Sequence, residues 1–201
     1  YGCLGDSITE QAKWQPTVIK NIGVTLVNYG VGGTTFAGTG STTFAEGTRI
    51  TAMASDLSLI SVMGGTNDWG ASIALGSETS TNINEFYGAV NSVITQLVTK
   101  YPSKRVFFMG TIYGERKDYV TLGWTNNTTN LLGLTPKDYA NAIKKRCEYY
   151  NIPYLDMIGN LGWNSINISS FTLNEATMYI HPNTVGGEAI GRLVSNFIEK
   201  L

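Results

Sequence analysis

Short apolar segments alternate along the chain with stretches whose apolar residues recur at helical spacing. The segments are rich in β-branched and aromatic residues, which is typical of strands buried on both faces of a sheet. They comprise residues 1–4, 24–27, 57–63, 106–109 and 152–155. Strands that alternate with helices favour a parallel sheet, because parallel neighbours need crossover connections. We therefore predict an α/β domain, a three-layer sandwich with a five-stranded parallel sheet between two layers of helices.

Helical spacing of apolar residues predicts helices over residues 86–100, 135–147 and 190–201. The middle helix has Thr135 as its N-cap and Pro136 at its first position, where a missing N–H is tolerated. A further helix is predicted over residues 10–21, with a kink at its internal proline. The absence of a linker or an internal repeat favours one domain over residues 1–201.

Charge and composition exclude several classes of function. The chain has 201 residues and carries 14 Lys and Arg against 15 Asp and Glu, so it has no basic surface for a nucleic acid. The longest uncharged run, residues 21–45, is interrupted by Gly and Thr and lacks the ~20 apolar residues of a membrane span. Charged residues make up only 14% of the chain. We expect an uncharged polar surface, a monomer, and an extracellular or particle-surface location, with a cytoplasmic one still open.

Unusual residues follow the predicted strands, at the sheet edge where open α/β sheets bind ligands. Ser7 lies on a tight turn between the first strand and a helix, where it is either a nucleophile or a helix cap. The glycine-rich residues 30–35 follow the second strand and are either a plain turn or a close approach to a ligand. Asn67 follows the third strand. His181 is the only histidine and has no partner in sequence that suggests a metal site.

Taken together, these segments resemble a known family. The sequences GDS at 5–7, NYGVGGT at 28–34, GTND at 65–68 and HPN at 181–183 resemble the four blocks of the SGNH (GDSL) hydrolase superfamily. The resemblance covers nearly the whole chain and implies the flavodoxin-like SGNH hydrolase fold. It further implies that Ser7 is the nucleophile and His181 the general base. The implied oxyanion hole consists of the N–H groups of Ser7 and Gly33 and the side-chain amide of Asn67. Neither a metal nor a cofactor is implied.

One position departs from the family pattern. The family's acid lies three residues before the histidine, and this chain has Met178 there. Because an unheld imidazole samples the wrong tautomer, the group that orients His181 matters for catalysis. Three alternatives remain open: a backbone carbonyl in residues 174–180, Glu175 or another carboxylate, or loss of hydrolysis altogether.

The predicted loops at the carboxyl edge, residues 66–81, 111–134 and 157–180, contain several aromatic residues among neutral polar ones. Such residues either pack on the core or stack on a sugar. We expect a carboxylic ester hydrolase that acts on small acyl esters, with O-deacetylation of a glycan as the favoured reaction. A lipid or lysophospholipid esterase and a non-catalytic carbohydrate-binding module are the alternatives. The aromatic residues are Trp69, Tyr113, Trp124, Trp163 and Phe171.

Overall fold

The computed structural model describes residues 1–201 and has a five-stranded sheet at its centre. The strands in chain order are β1 (Gly2–Gly5), β2 (Val27–Gly30), β3 (Leu59–Met63), β4 (Arg105–Met109), β5 (Glu115–Arg116), β6 (Tyr154–Leu155) and β7 (Met178–Tyr179). The central sheet has the order β2-β1-β3-β4-β6, and all its neighbours are parallel. This arrangement confirms the predicted fold class and brings the loops after β1, β2, β3 and β4 to one edge.

Helices cover both faces of this sheet. They are α1 (Ser7–Glu10), α2 (Gln15–Ile22), α3 (Thr48–Ala52), α4 (Thr66–Gly70), α5 (Phe86–Lys100), α6 (Pro136–Tyr149), α7 (Met157–Leu161), α8 (Ile168–Phe171) and α9 (Thr184–Ile198). Helix α9 packs on α2, and α5 packs on α6. No helix combines the length and the apolar character that crossing a bilayer requires.

Neighbouring residues of β4 show how the two layers attach to the sheet. Successive side chains of a strand point to opposite faces. Phe107 packs on Phe197 of α9, with ring centroids 5.4 Å apart, whereas Phe108 stacks with Phe36 on the other face at 6.5 Å. Phe36 also meets Phe86 of α5 edge to face at 5.5 Å. All of these rings except Phe197 are fully buried, so the aromatic residues join the three layers into one core.

The second strand lies further along the chain than the pattern predicts. The apolar residues 24–27 were expected to form it, but pairing begins only at Val27, which lies opposite Gly2 of β1. Strand β2 is at the edge of the sheet and its residues are half-buried or exposed, so its position is not marked by a continuous apolar run. Val24 and Leu26 instead pack against the core before the strand begins.

The single kinked helix expected over residues 10–21 is also wrong. The chain forms α1 and α2 there, and Ala12 between them has a positive φ of 54°. Pro16 lies in the first turn of α2. A proline at that position lacks only an N–H that has no intrahelical partner, so it begins a helix without kinking one.

A second, two-stranded sheet was not predicted. Strands β5 and β7 pair antiparallel, with Glu115 opposite Tyr179 and Arg116 opposite Met178. Two residues are too few for a periodic signal in the sequence. This sheet joins the loop after β4 to the loop before α9.

Candidate active site

The turn after β1 places Ser7 at the carboxyl edge of the sheet. Asp6 is the N-cap of α1, and the N–H of Ile8 donates to its Oδ1 at 3.0 Å. A Cβ on Gly5 would lie 2.0 Å from Oγ1 of Thr9, so the turn has room only for glycine. Ser7 is the first residue of α1, so its N–H has no hydrogen-bond acceptor within the helix.

His181 reaches this serine from the other end of the chain. Its Nε2 lies 2.8 Å from Oγ of Ser7. The residues around His181 are fixed by the start of α9, where the side chain of Asn183 accepts the N–H of Gly186 at 3.0 Å. The carbonyl of His181 accepts the N–H of Leu173 at 2.8 Å. The structure therefore brings together the two side chains that the sequence placed at opposite ends of the protein.

A carboxylate lies on the far side of the imidazole. Oε1 and Oε2 of Glu175 are 2.8 and 2.9 Å from Nδ1 of His181. A carboxylate only accepts hydrogen bonds, so it holds the proton on Nδ1 and leaves Nε2 to accept the hydroxyl of Ser7. Of the three alternatives for this position, the structure has the carboxylate. Met178, where the family has its acid, belongs to β7 and lines the cleft in front of Ser7.

The residues expected to form an oxyanion hole border the same cleft. Gly33 has a positive φ of 74°, and its N–H has no hydrogen-bond partner within the protein. Nδ2 of Asn67 donates one N–H to the carbonyl of Thr34 at 2.8 Å, which leaves its second N–H available. Ser7, Gly33 and Asn67 all line the cleft.

The cleft itself is small, and most of the residues that line it are polar residues or glycines. Its volume is about 200 Å³. Hydroxyl, amide and guanidinium groups contribute to its wall, and Met178 and Ile180 are its two aliphatic side chains. It is lined by Ser7, Gly33, Thr66, Asn67, Gly70, Arg116, Met178, Ile180 and His181.

A sequence model of the GDSL-like lipase/acylhydrolase family matches residues 3–189. The chain belongs to this family. Membership makes it an ester hydrolase of the GDSL/SGNH superfamily. None of the curated proteins compared with it matches it in sequence.

Solved structures share the fold of this GDSL-family hydrolase along its whole length. A Lactobacillus plantarum protein is 25% identical with a TM-score of 0.84, over 99% of this chain and 95% of that one. A Chitinophaga pinensis protein described as a possible lipase is 16% identical with a TM-score of 0.81, over 99% and 97%. The M. smegmatis aryl esterase is 16% identical with a TM-score of 0.69, over 100% and 98%. At these identities, the last two show the fold alone.

In this GDSL hydrolase, Lys117 holds the loop that carries Glu175, although no pattern in the sequence indicated this lysine. Nζ of Lys117 donates to Oδ1 of Asn174 at 2.6 Å and to the carbonyl of Glu175 at 2.5 Å. The N–H of Lys117 donates to the carbonyl of Thr177 at 2.8 Å, and its ammonium lies 3.9 Å from the ring centroid of Tyr179. The loop that carries Glu175 is thereby attached to the β5 side of the small sheet.

A buried aspartate and a half-buried arginine hold the glycine-rich residues 30–35 and the two residues that follow them. The Asp68 carboxylate accepts the N–H groups of Phe36 and Ala37, each at 2.9 Å. Arg49 donates to Oγ1 of Thr34 at 2.8 Å and to the carbonyls of Gly5 and Tyr29. Asp68 is the last residue of the GTND sequence at 65–68, which is part of the family resemblance. No local pattern in the sequence indicates a role for Arg49.

Burial changes the acidity of both aspartates near the site. Removal from water raises the pKa of Asp68 to about 7, although its two backbone N–H donors oppose the rise. Burial likewise raises the pKa of Asp6 to about 6, opposed by the N–H of Ile8 and by the charges of His181 and Arg49. These two acids shape the loops around Ser7, while Glu175 is the one that contacts the imidazole.

The aromatic residues of the long loops are mainly part of the core. Trp69 is fully buried and meets Trp124 edge to face at 5.1 Å. Trp163 is buried and stacks on Phe171 at 5.2 Å. Neither these residues nor Tyr113 lines the cleft. Of the two interpretations of these residues, packing on the core is the one observed, because loops of this length need apolar contacts of their own.

Proposed function

We propose that this GDSL-family hydrolase is a serine esterase whose catalytic triad is Ser7, His181 and Glu175. The observation that carries the proposal is the continuous chain from Oγ of Ser7 through His181 to the Glu175 carboxylate, with contacts of 2.8 Å on either side of the imidazole. This is the order of nucleophile, base and orienting acid that acyl transfer by a serine requires.

The proposed reaction proceeds in two stages, formation and hydrolysis of an acyl-serine. Oγ of Ser7 attacks the ester carbonyl and transfers its proton to Nε2 of His181. The negative oxygen of the tetrahedral intermediate accepts hydrogen bonds from the N–H groups of Ser7 and Gly33 and from the side-chain amide of Asn67. His181 then protonates the leaving alcohol, which gives the acyl-serine. Water attacks this ester, gives its proton to His181, and releases the acid as Ser7 recovers its proton.

The cleft supports a short acyl group. A space of about 200 Å³ with two aliphatic side chains offers little apolar surface to a long chain. The hydroxyl of Thr66 and the side-chain oxygen of Asn67, beside Arg116, suit an alcohol that carries hydroxyls. We propose acetyl esters of carbohydrates as the substrate class, and esters of lipids as the class that the cleft disfavours.

The test compares hydrolysis of p-nitrophenyl acetate by the wild type, Ser7→Ala and His181→Ala. We expect each variant to lose at least about 10⁴-fold in kcat while the wild type forms an acyl-serine visible by mass spectrometry. Ser170→Ala, a change in an exposed serine of α8, is the control and should retain full activity. A wild type no faster than Ser7→Ala would contradict the proposed nucleophile.

The substrate class needs its own measurement. We expect kcat/KM to fall as the acyl chain of the p-nitrophenyl ester lengthens from acetate to octanoate. We further expect acetate release from an acetylated oligosaccharide to exceed fatty-acid release from a lysophospholipid. Faster turnover of the long-chain esters would favour the lipid alternative and contradict the glycan one.

A further inference from the structure

A second cavity lies away from the catalytic cleft, between α5, α6 and residues 79–83. Its volume is about 410 Å³. The wall consists mainly of neutral hydroxyl and amide side chains, and Arg146 is the only charged residue in it. No residue of this cavity lines the cleft at Ser7.

Arg146 is buried without an anionic partner. Only 4% of its surface is exposed, and it forms no ion pair. Nε donates to Oδ1 of Asn91 at 2.7 Å, whereas Nη1 and Nη2 donate to no protein group. A buried charge is costly unless it is paired and hydrogen-bonded. The terminal nitrogens of this guanidinium therefore have unused capacity for an acceptor in the cavity.

The other four arginines of the chain are either paired, hydrogen-bonded to several protein oxygens, or exposed to water. Arg116 forms two hydrogen bonds with Asp118, and Arg192 lies 3.5 Å from Glu188. Arg49 donates to three protein oxygens. Arg105 is exposed to water. Only Arg146 combines burial with free terminal nitrogens.

The position of the Arg146 side chain is fixed before any ligand arrives. Asn91, which accepts its Nε–H, is itself held because its Nδ2 donates to the carbonyls of Glu78 and Ser80. The guanidinium carbon lies 4.3 Å from the ring centroid of Tyr149 and 5.3 Å from that of Tyr150. A planar guanidinium fixed in this way is suited to binding a carboxylate or phosphate through two parallel hydrogen bonds.

We propose that this cavity binds a small ligand through an oxyanion, a carboxylate or a phosphate monoester, which accepts hydrogen bonds from Nη1 and Nη2 of Arg146. The hydroxyls of Thr79 and Thr81 line the same cavity and have no partner within the protein, so they are available to the rest of a polar ligand. The carboxylate of Glu78 pairs with Lys145 at 2.7 Å and forms no ion pair with Arg146. This site is independent of the proposed ester chemistry.

The experiment is a titration of the ¹⁵N-labelled full chain followed by amide chemical shifts, at constant ionic strength. Ser7→Ala is used as the background, so that turnover plays no part. The probes are inorganic phosphate, glucuronate as a carboxylate on a hydroxylated ring, and glucose as the neutral counterpart. We expect phosphate or glucuronate to shift the amides of residues 79–83, 91–96 and 146–150 with a Kd on the order of 1 mM, while glucose shifts none. The tighter of the two probes shows whether the cavity prefers a phosphate or a carboxylate on a hydroxylated ring.

Variants at Arg146 test whether its guanidinium binds the anion. Arg146→Met should weaken binding of the anion, with a Kd at least about 10-fold higher. Arg146→Lys, which keeps the charge but not the planar pair of donors, should weaken it less. Lys144→Met, at an exposed position of the same helix, should leave it unchanged. The proposal is overturned if neither anion gives saturable shifts in the Ser7→Ala chain, or if Arg146→Met binds as tightly as that chain. The first of these outcomes needs no variant at Arg146, so it remains decisive if Arg146→Met does not fold.

Discussion

Glu175 and His181 are six residues apart in the chain, and both carboxylate oxygens of Glu175 lie within 2.9 Å of Nδ1 of His181. The family pattern places the acid three residues before the histidine, where this chain has Met178. In this chain β7 lies between Glu175 and His181, and the loop before β7 directs the Glu175 side chain towards the imidazole. A carboxylate thus faces Nδ1, although it comes from a different position in the sequence.

Replacing this acid should remove most of the proposed activity. Glu175→Gln substitutes an amide that can present an N–H to Nδ1 and so favour the wrong tautomer. We expect kcat to fall by roughly 10⁴-fold, with a much smaller change in KM. Steady-state kinetics with p-nitrophenyl acetate measures this, and Glu188→Gln in α9 is the matched control. A loss of less than about tenfold would mean that another group orients His181.

Lys117 should matter because it holds the backbone of Glu175. In Lys117→Met the hydrogen bonds to Asn174 and to the Glu175 carbonyl are absent, so the carboxylate is less firmly placed. We expect kcat to fall about 10- to 100-fold with KM nearly unchanged, since a small displacement of a catalytic group has effects of this size. Lys117→Arg should recover part of the loss. Lys104→Met, at an exposed lysine remote from the loop, should have no effect; equal losses in both Met variants would disprove a role in positioning.

Asn67→Ala tests the side-chain donor of the oxyanion hole. Its free N–H would stabilise charge only in the transition state, so we expect kcat to fall about 10²- to 10³-fold. Its hydrogen bond to the carbonyl of Thr34 is lost as well, so the thermal midpoint must be recorded beside the kinetics. Asn84→Ala, in an exposed loop, is the control. An unchanged kcat would exclude Asn67 from the oxyanion hole.

Asp68 should make the stability of the protein depend on pH. Its pKa in the folded state is about 7 against an ordinary value of 3.8, so the folded state binds more protons between these limits. The stabilisation linked to this proton is complete below pH ~4 and is lost as the pH rises through ~7. Asp6, with a raised pKa of about 6, contributes in the same direction.

We therefore expect Asp68→Asn to gain stability relative to the wild type as the pH rises from 4 to 8. Thermal unfolding at several pH values measures the difference between the two midpoints. Asn84→Ala, which removes no titratable group from an exposed position, should differ from the wild type by a constant amount. A constant difference for Asp68→Asn as well would contradict the raised pKa.

Several elements were predictable because they depend on local patterns. The buried strands β3 and β4 and the helices α5 and α6 lie close to the residues that periodicity and capping indicated, whereas α9 begins at Thr184, well before its predicted start at residue 190. Strand β2 was misplaced because an edge strand is not buried on both faces, and α1 and α2 were merged because one proline can kink a helix or begin one. The candidate roles of Ser7, Gly33, Asn67 and His181 came from the resemblance to the SGNH family, which rests on the order and strand context of four short motifs.

The amino-acid sequence by itself determined the layers, the parallel sheet and the family, since these follow from periodic burial and from short motifs at strand ends. Tertiary structure alone decided which group faces Nδ1 of His181, that Lys117 holds its loop, that the loop aromatics enter the core, and that Arg146 is buried beside a cavity. Those features depend on the path of loops without periodicity and on contacts between residues distant in sequence. No local pattern encodes them, because each results from where two separately folded segments meet.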